Sequence, residues 1–158
     1  RVLFRSLVVC NALGDVVDPR SGRLIAGARQ DADSLKLINI VEAQLRGETA
    51  RNLTVGSNTT IGVVATNASL NKAQAQRLAQ LGHDGLAHSI RPVHTPLDGD
   101  TLFGLATGDI PGSPDMMLLS TLAAEATARA TVRAVQNARC LRIGNDWWPS
   151  ASALAPPG

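Results

Sequence analysis

The sequence predicts an α+β domain of stacked layers. Two β-rich portions, each followed by a helical pattern, carry that class. No G-x-G-x-x-G or Walker pattern follows any strand, which disfavours a doubly wound nucleotide-binding fold.

The elements are read in chain order. Residues 7–13 are a short apolar run and predict a buried strand. Gly14-Asp15 and the turn residues around Asp18-Pro19 flank Val16-Val17, and residues 23–28 read as the return strand of a hairpin. Residues 34–45 predict a short helix, and residues 46–52 a polar, mobile stretch. Residues 59–66 give the strongest strand signal, β-branched and apolar on both faces. Asn71 predicts a helix cap, and residues 72–86 a helix with a polar stripe at Lys72, Gln76, Gln80 and Asp84. Residues 88–100 read as a loop containing Pro92 and Pro96, and residues 101–107 as a second strand. Ser113-Pro114 is expected to open an Ala-rich helix reaching Asn137, with Pro114 in its first turn. Residues 140–143 predict a short strand, and residues 145–158, with three Pro, a disordered tail.

Composition excludes several functions. A net charge of +2 without a basic run argues against nucleic acid and anionic membrane. Two Trp, two Phe and no Tyr cannot build a base-stacking platform. Cys10 and Cys140 are too few for a disulfide framework, and Cys10 lies in an apolar run where a buried free thiol is expected. His83, His88 and His94 show no H-E-x-x-H spacing and no convincing carboxylate partner, so they read as surface or loop histidines and no metal is expected. No G-x-S-x-G elbow supports a Ser-His-Asp triad. The first six residues, Arg1 to Ser6, back-translate into a sequence like a sequencing adapter and are expected to be an assembly artefact.

The segment that carries chemistry begins at Gly56-Ser57, where a polar loop meets the residue 59–66 strand. Gly56-Ser57-Asn58-Thr59-Thr60-Ile61-Gly62-Val63-Val64-Ala65-Thr66-Asn67 resembles the self-processing L-aminopeptidase/D-esterase family, which includes the β-peptidyl aminopeptidases. Three further segments agree in order and spacing. They are the stretch from Val8 through Asn11 to Gly22, the stretch from His94 through Asp98-Gly99-Asp100-Thr101 to Phe103, and Leu105-Ala106-Thr107-Gly108. The resemblance implies a four-layer αββα sandwich of the N-terminal-nucleophile type, cleaved into two subunits that stay together. Residues 7–56 would then end the α-subunit and residues 57–144 would form the catalytic part of the β-subunit. It also implies that this chain is only the C-terminal part, so residues 1–158 alone are expected to be inactive and poorly stable.

The implied chemistry is consistent with the residue types. An ordinary Ser hydroxyl needs an adjacent base. Cleavage of Gly56-Ser57 creates an α-amine, with a pKa of about 7.7–8.0, beside its own hydroxyl. Gly56 has no side chain to obstruct attack on its carbonyl. Asn11 matches the family's oxyanion donor; a strand-end Asn bonding its neighbouring loop is the alternative. Asp98, Asp100 and Thr101 are candidates for orienting the amine or shuttling a proton, with an Asp-Gly turn the alternative for Asp98. The β-peptide-cleaving members carry a Ser-Gly-acid pattern where this chain reads Asp-Gly-Asp-Thr.

The expected activity is a serine aminopeptidase acting on small peptides, amides or esters. The alternatives are an acyltransferase similar to the ornithine acetyltransferases, which share the Asp-Gly-Asp-Thr segment but use Thr as nucleophile, and a non-catalytic homologue. No cofactor is expected. The expected partners are the substrate, the N-terminal segment of the same protein and further copies of the chain, with the cytoplasm as the favoured compartment.

Overall fold

The computed structural model of the chain describes residues 1–48 and 58–154. It is a mixed α+β arrangement. Its central sheet holds β1 (Phe4–Val9), β4 (Ile61–Ala68) and β6 (Thr101–Ile110) in the order β1-β4-β6. β1 runs antiparallel to β4, whereas β4 and β6 are parallel. A second small sheet joins β2 (Asp15–Val17), β3 (Leu24–Ala26) and β5 (Ile90–Arg91) in the order β3-β2-β5. The hairpin expected around Asp18-Pro19 is therefore present, closed by the Asp18 carboxylate, which accepts the Arg20 and Ser21 N–H groups at 2.9 and 2.8 Å.

Helices α2 (Lys72–Ser89) and α3 (Met116–Asn137) pack on one another and on one face of the central sheet. Asn71 caps α2 in a capping box with Gln74. The sheet alternates as a half-buried sheet should. Gly62, Val64, Thr66 and Ala68 of β4 point into the helices. There Val64, Ala68, Leu78, Leu119 and Ala123 form one core cluster, and Val16, Leu86, Ile90 and Leu102 a second. Close approach depends on missing side chains. A Cβ on Gly85 would lie 2.3 Å from the Ala124 carbonyl oxygen of α3, and one on Gly104 would lie 2.2 Å from the Ala75 carbonyl oxygen of α2.

The other sheet face is apolar and open. Register sets Leu7 beside Val63 beside Phe103, and Val9 beside Ile61. Leu7 is 69% exposed and Phe103 59%. Among the described residues, no helix covers this face.

Several expectations need correction. The helix expected over residues 34–45 is only α1 (Ile40–Leu45). Ahead of it Asp31 accepts the Asp33 and Ser34 N–H groups and Ser34 Oγ accepts the Lys36 N–H, local bonds that compete with a helix. Helix α3 starts later than expected: Asp115 is its cap, accepting the Leu118 N–H at 3.0 Å, so Pro114 precedes the helix instead of lying in its first turn. The expected tail contains β8 (Asp146–Trp148), paired with β7 (Leu141–Ile143) across a turn where Gly144 has φ 60°, and α4 (Ala151–Leu154). Ser150 fastens it by donating its N–H to Cys140 Sγ at 3.3 Å. Residues 155–158 lie outside the described residues, as do residues 49–52 of the stretch expected to be mobile. Phe4, Arg5 and Ser6 lie within β1, so the first strand starts before residue 7 and ends at Val9.

Asp15 is 1% exposed and ties the small sheet to α1. Its carboxylate accepts the Ala28 N–H at 3.2 Å and the Ile40 N–H at 2.8 Å. Burial pushes its pKa up, against the lowering effect of those two bonds.

Gly85→Ala, which favours an isolated helix by about 1 kcal/mol, is expected instead to destabilise the fold by about 1–3 kcal/mol, read as a lower urea midpoint. Asp15→Asn turns an amide N–H toward one of two backbone donors and is expected to cost about 1–3 kcal/mol. With its pKa raised, the native Asp15 binds its proton more tightly than the unfolded chain does. Its contribution is therefore greatest in acid and declines as pH rises through the raised value. Denaturation across pH should show the gap between wild type and Asp15→Asn narrowing as pH rises; a widening gap would contradict the burial argument.

Candidate active site

Three chain segments meet at one end of the central sheet. Parallel pairing brings the starts of β4 and β6 together, and antiparallel pairing brings the end of β1 beside them. Backbone bonds extend the sheet past its strands. The Thr59 N–H donates to the Asn11 carbonyl at 2.8 Å, the Gly99 N–H to the Asn58 carbonyl at 3.0 Å and the Thr101 N–H to the Thr60 carbonyl at 2.9 Å. Asn58 and Asp98 form an isolated parallel bridge. Asn11, Asn58, Asp98, Asp100 and Thr101, far apart in sequence, are thereby neighbours. Gly56 and Ser57 lie outside the described residues; Asn58 is the first described residue after them.

The two acids do different work. Asp98 is spent on its own loop and on the segment that follows β1. Its Oδ2 accepts both the N–H and the hydroxyl of Thr95, at 3.0 and 2.7 Å, and Oδ1 accepts the Leu13 N–H at 3.4 Å. These bonds close a turn from Thr95 to Asp98 over Pro96 and Leu97, where the Asp98 N–H also donates to the Thr95 carbonyl at 3.0 Å. Gly99 is required between the acids, because a Cβ there would lie 2.7 Å from Thr59 Oγ1. Asp100 reaches out of the loop. Its Oδ1 accepts the Thr60 N–H at 2.9 Å, its Oδ2 lies 3.1 Å from His94 Nδ1, and its side chain is 4% exposed. Thr101 donates its hydroxyl to the Gly99 carbonyl at 3.2 Å. Asn11 is exposed at the end of β1.

The floor of the site is partly apolar. Burial raises the Cys10 thiol pKa, the main cause among several, so the thiol stays protonated at neutral pH. The Thr60 hydroxyl is fully buried beside it, with no partner in good hydrogen-bond geometry among the described residues.

Sequence reading passed over His94, which it assigned to the surface or loop without a carboxylate partner. Asp100 is that partner. His94 sits at φ 55°, the only non-glycine residue at positive φ among those described. Its ring centroid is 4.8 Å from that of His83 on α2. A usable signal was present: His94 and Asp100 bracket a short loop punctuated by Pro96 and Gly99, which folds its two ends together. Among the described residues, no group of three His, Cys, Asp or Glu side chains is arranged to hold a metal ion.

An uncharacterized aminopeptidase of Mycobacterium bovis is 40% identical over 151 residues, covering 84% of this chain and 43% of that protein. A 6-aminohexanoate-oligomer endohydrolase of Paenarthrobacter ureafaciens is 30% identical over 116 residues, covering 72% of this chain and 32% of that protein. The chain thus spans less than half the length of these curated relatives. Among solved structures, a Burkholderia sp. beta-aminopeptidase superposes with a TM-score of 0.50 at 20% identity, covering 96% of this chain and 47% of that one. A Pyrococcus horikoshii protein superposes with a TM-score of 0.54 at 18% identity, covering 97% of this chain and 44% of that one. These two show the fold, a mixed α+β arrangement similar to that of the beta-aminopeptidase. The model of peptidase family S58 matches residues 6–145, nearly the whole chain, and with it the resemblance to the L-aminopeptidase/D-esterase group holds: the chain belongs to peptidase family S58.

Proposed function

We propose that this chain is the catalytic portion of a self-cleaving serine aminopeptidase that releases N-terminal residues from small peptides, amides or esters. The observation that carries the reading is the junction at the sheet end. Asn11, the strand leading from Ser57, and the Asp98–Thr101 loop are joined there by backbone bonds. Thr59, two residues beyond Ser57 in the chain, has its N–H held on the Asn11 carbonyl.

In this mechanism Ser57 Oγ attacks the Gly56 carbonyl carbon, and the peptide nitrogen leaves as the Ser57 amine. Water opens the resulting ester and frees Gly56 as a carboxylate. The new α-amine then takes the Ser57 hydroxyl proton as Oγ attacks a substrate carbonyl. The Asn11 side-chain N–H donates to the developing oxyanion. The leaving amine collects the proton, and water hydrolyses the acyl-enzyme. Asp100, fixed on Thr60 and His94, orients the amine. Asp98 shapes the loop, and Thr101 lines it.

The relatives' names favour hydrolysis over acyl transfer. One is called an aminopeptidase and another an oligomer endohydrolase, and both names describe cleavage of amide bonds. Ser at position 57, where ornithine acetyltransferase-like enzymes use Thr, points the same way. The substrate pocket and the partner sheet would come from the N-terminal part of the same protein and from other copies of it, so residues 1–158 by themselves are inactive in this reading.

Mass spectrometry of the full gene product should find two fragments, one beginning at Ser57, and an intact chain for Ser57→Ala. A wild-type chain that never splits would overturn the proposal. Asn11→Ala should lower kcat on an aminoacyl p-nitroanilide by roughly 10²–10³-fold with a small change in KM. Acetyl-ornithine exchange in place of that hydrolysis would select the acyltransferase instead. Residues 1–158 expressed alone should not hydrolyse the p-nitroanilide; a turnover matching the full product would refute the need for the rest.

A further inference from the structure

The sequence holds no basic run, but folding gathers a basic groove. It has a volume of about 670 Å³ and lies where the turn between β2 and β3, the end of α2, β5 and α3 meet. Arg20 comes to it from the turn, Arg91 from β5, and Arg129 and Arg133 from α3. Arg129 and Arg133 are one helical turn apart and so share a face of α3. All four residues are exposed. Two carboxylates, Asp18 and Glu125, also line the groove, which leaves positive charge in excess. Asp18 Oδ1 is committed to its own turn, where it accepts the Arg20 and Ser21 N–H groups. Glu125 lies 3.5 Å from Arg129. Among the described residues, the guanidinium groups of Arg20, Arg91 and Arg133 make no ion pair.

The rest of the lining leaves room between the arginine stems, because α2 and α3 present Ala87, Ala128 and Val132 there. The volume is that of a small-molecule site. None of the lining residues is aromatic, so the groove offers nothing on which a nucleobase could stack. Charges of one sign converging on a cleft raise the local concentration of the opposite ion. A guanidinium fork pairs with two oxygens of a phosphate or a carboxylate at once. Of these two, a terminal phosphate brings a charge of roughly −1.5 to −2 and three acceptor oxygens in one compact group. Four forks around one groove match that density better than the single charge of a carboxylate. We propose that the groove binds a small polyphosphate, two or three linked phosphate groups held between the arginines of the turn and β5 and those of α3. The site does not depend on the aminopeptidase reading, since none of these residues lies at the sheet end that holds Asn11 and Asp100.

Isothermal titration calorimetry of the full gene product with inorganic triphosphate tests it. One triphosphate per chain is expected, bound more tightly than inorganic phosphate. Arg91→Gln and Arg133→Gln should each weaken binding by about tenfold, the loss of one charge-assisted bond. Arg77→Gln removes an exposed charge from α2 outside the groove and should leave binding unchanged. Circular dichroism should show all three variants folded. Absence of triphosphate binding overturns the proposal. So does an equal loss in Arg77→Gln, which would mean attraction to net charge alone. Succinate or an acidic peptide bound as tightly as triphosphate would overturn the phosphate assignment. A mixed-sequence oligonucleotide bound more tightly still would overturn the small-molecule assignment and make the groove part of a nucleic-acid surface. Activity is read in none of these arms, so an enzyme that never self-cleaves would sink the aminopeptidase reading and leave the groove's result standing.

Discussion

The parallel pairing of β4 with β6 is the constraint on which the rest depends. Two parallel neighbours need a crossover, and α2 supplies it. The same pairing places both strand starts at one end of the sheet. Antiparallel β1 then delivers its last residues, and Asn11 just beyond them, to that end. Three segments separated by tens of residues become a single strip of backbone hydrogen bonds. No side chain has to travel to assemble the site. An antiparallel β6 would have carried the Asp98–Thr101 loop to the opposite end.

Packing around this sheet is one-sided, and small residues make it so. Gly62, Gly82, Gly85 and Gly104 let α2 and α3 lie against the sheet and each other with backbone nearly touching side chain. Buried hydroxyls in the helices are satisfied locally: Ser89 donates to Gly85 and Thr131 to Thr127. The opposite face, with Leu7, Val9, Ile61, Phe103 and Leu105, is as apolar as a core and exposed in this chain. In a four-layer αββα fold that face is the sheet-on-sheet interface. An open apolar face of this extent asks for a partner layer.

The sequence made local decisions legible and left tertiary ones hidden. Asn71 with Gln74, the Asp18 turn and the β-branched run into Val64 each announce themselves through nearest neighbours. Asp115 was missed as a cap because Pro114 is the stronger punctuator on paper; the cap is decided by which side chain reaches Leu118. The ordered segment from Asp146 was missed because its Pro content outweighed a pairing that only Leu141 and Trp148 reveal in space. Within the site, the resemblance pointed to Asn11, Asp98, Asp100 and Thr101, and the one hint that joined Asp100 to His94 was the loop between them, punctuated by Pro96 and Gly99. That pairing depends on a left-handed residue, which no sequence pattern announces when it is not a glycine.

The difference between Asp98 and Asp100 bears on the departure from the β-peptide-cleaving pattern. Where those members carry a Ser, Gly and acid in succession, this chain has Asp, Gly and Asp. Asp98 occupies the variable position, and its carboxylate is committed to Thr95 and Leu13. A Ser there could accept from the same neighbours, though with one oxygen where Asp98 has two. Asp100 lies two residues on, and its contacts run outward to Thr60, just ahead of β4, and to His94. Asp98 therefore bears on how firmly the loop is folded, while Asp100 ties the loop to the segment that leads into β4.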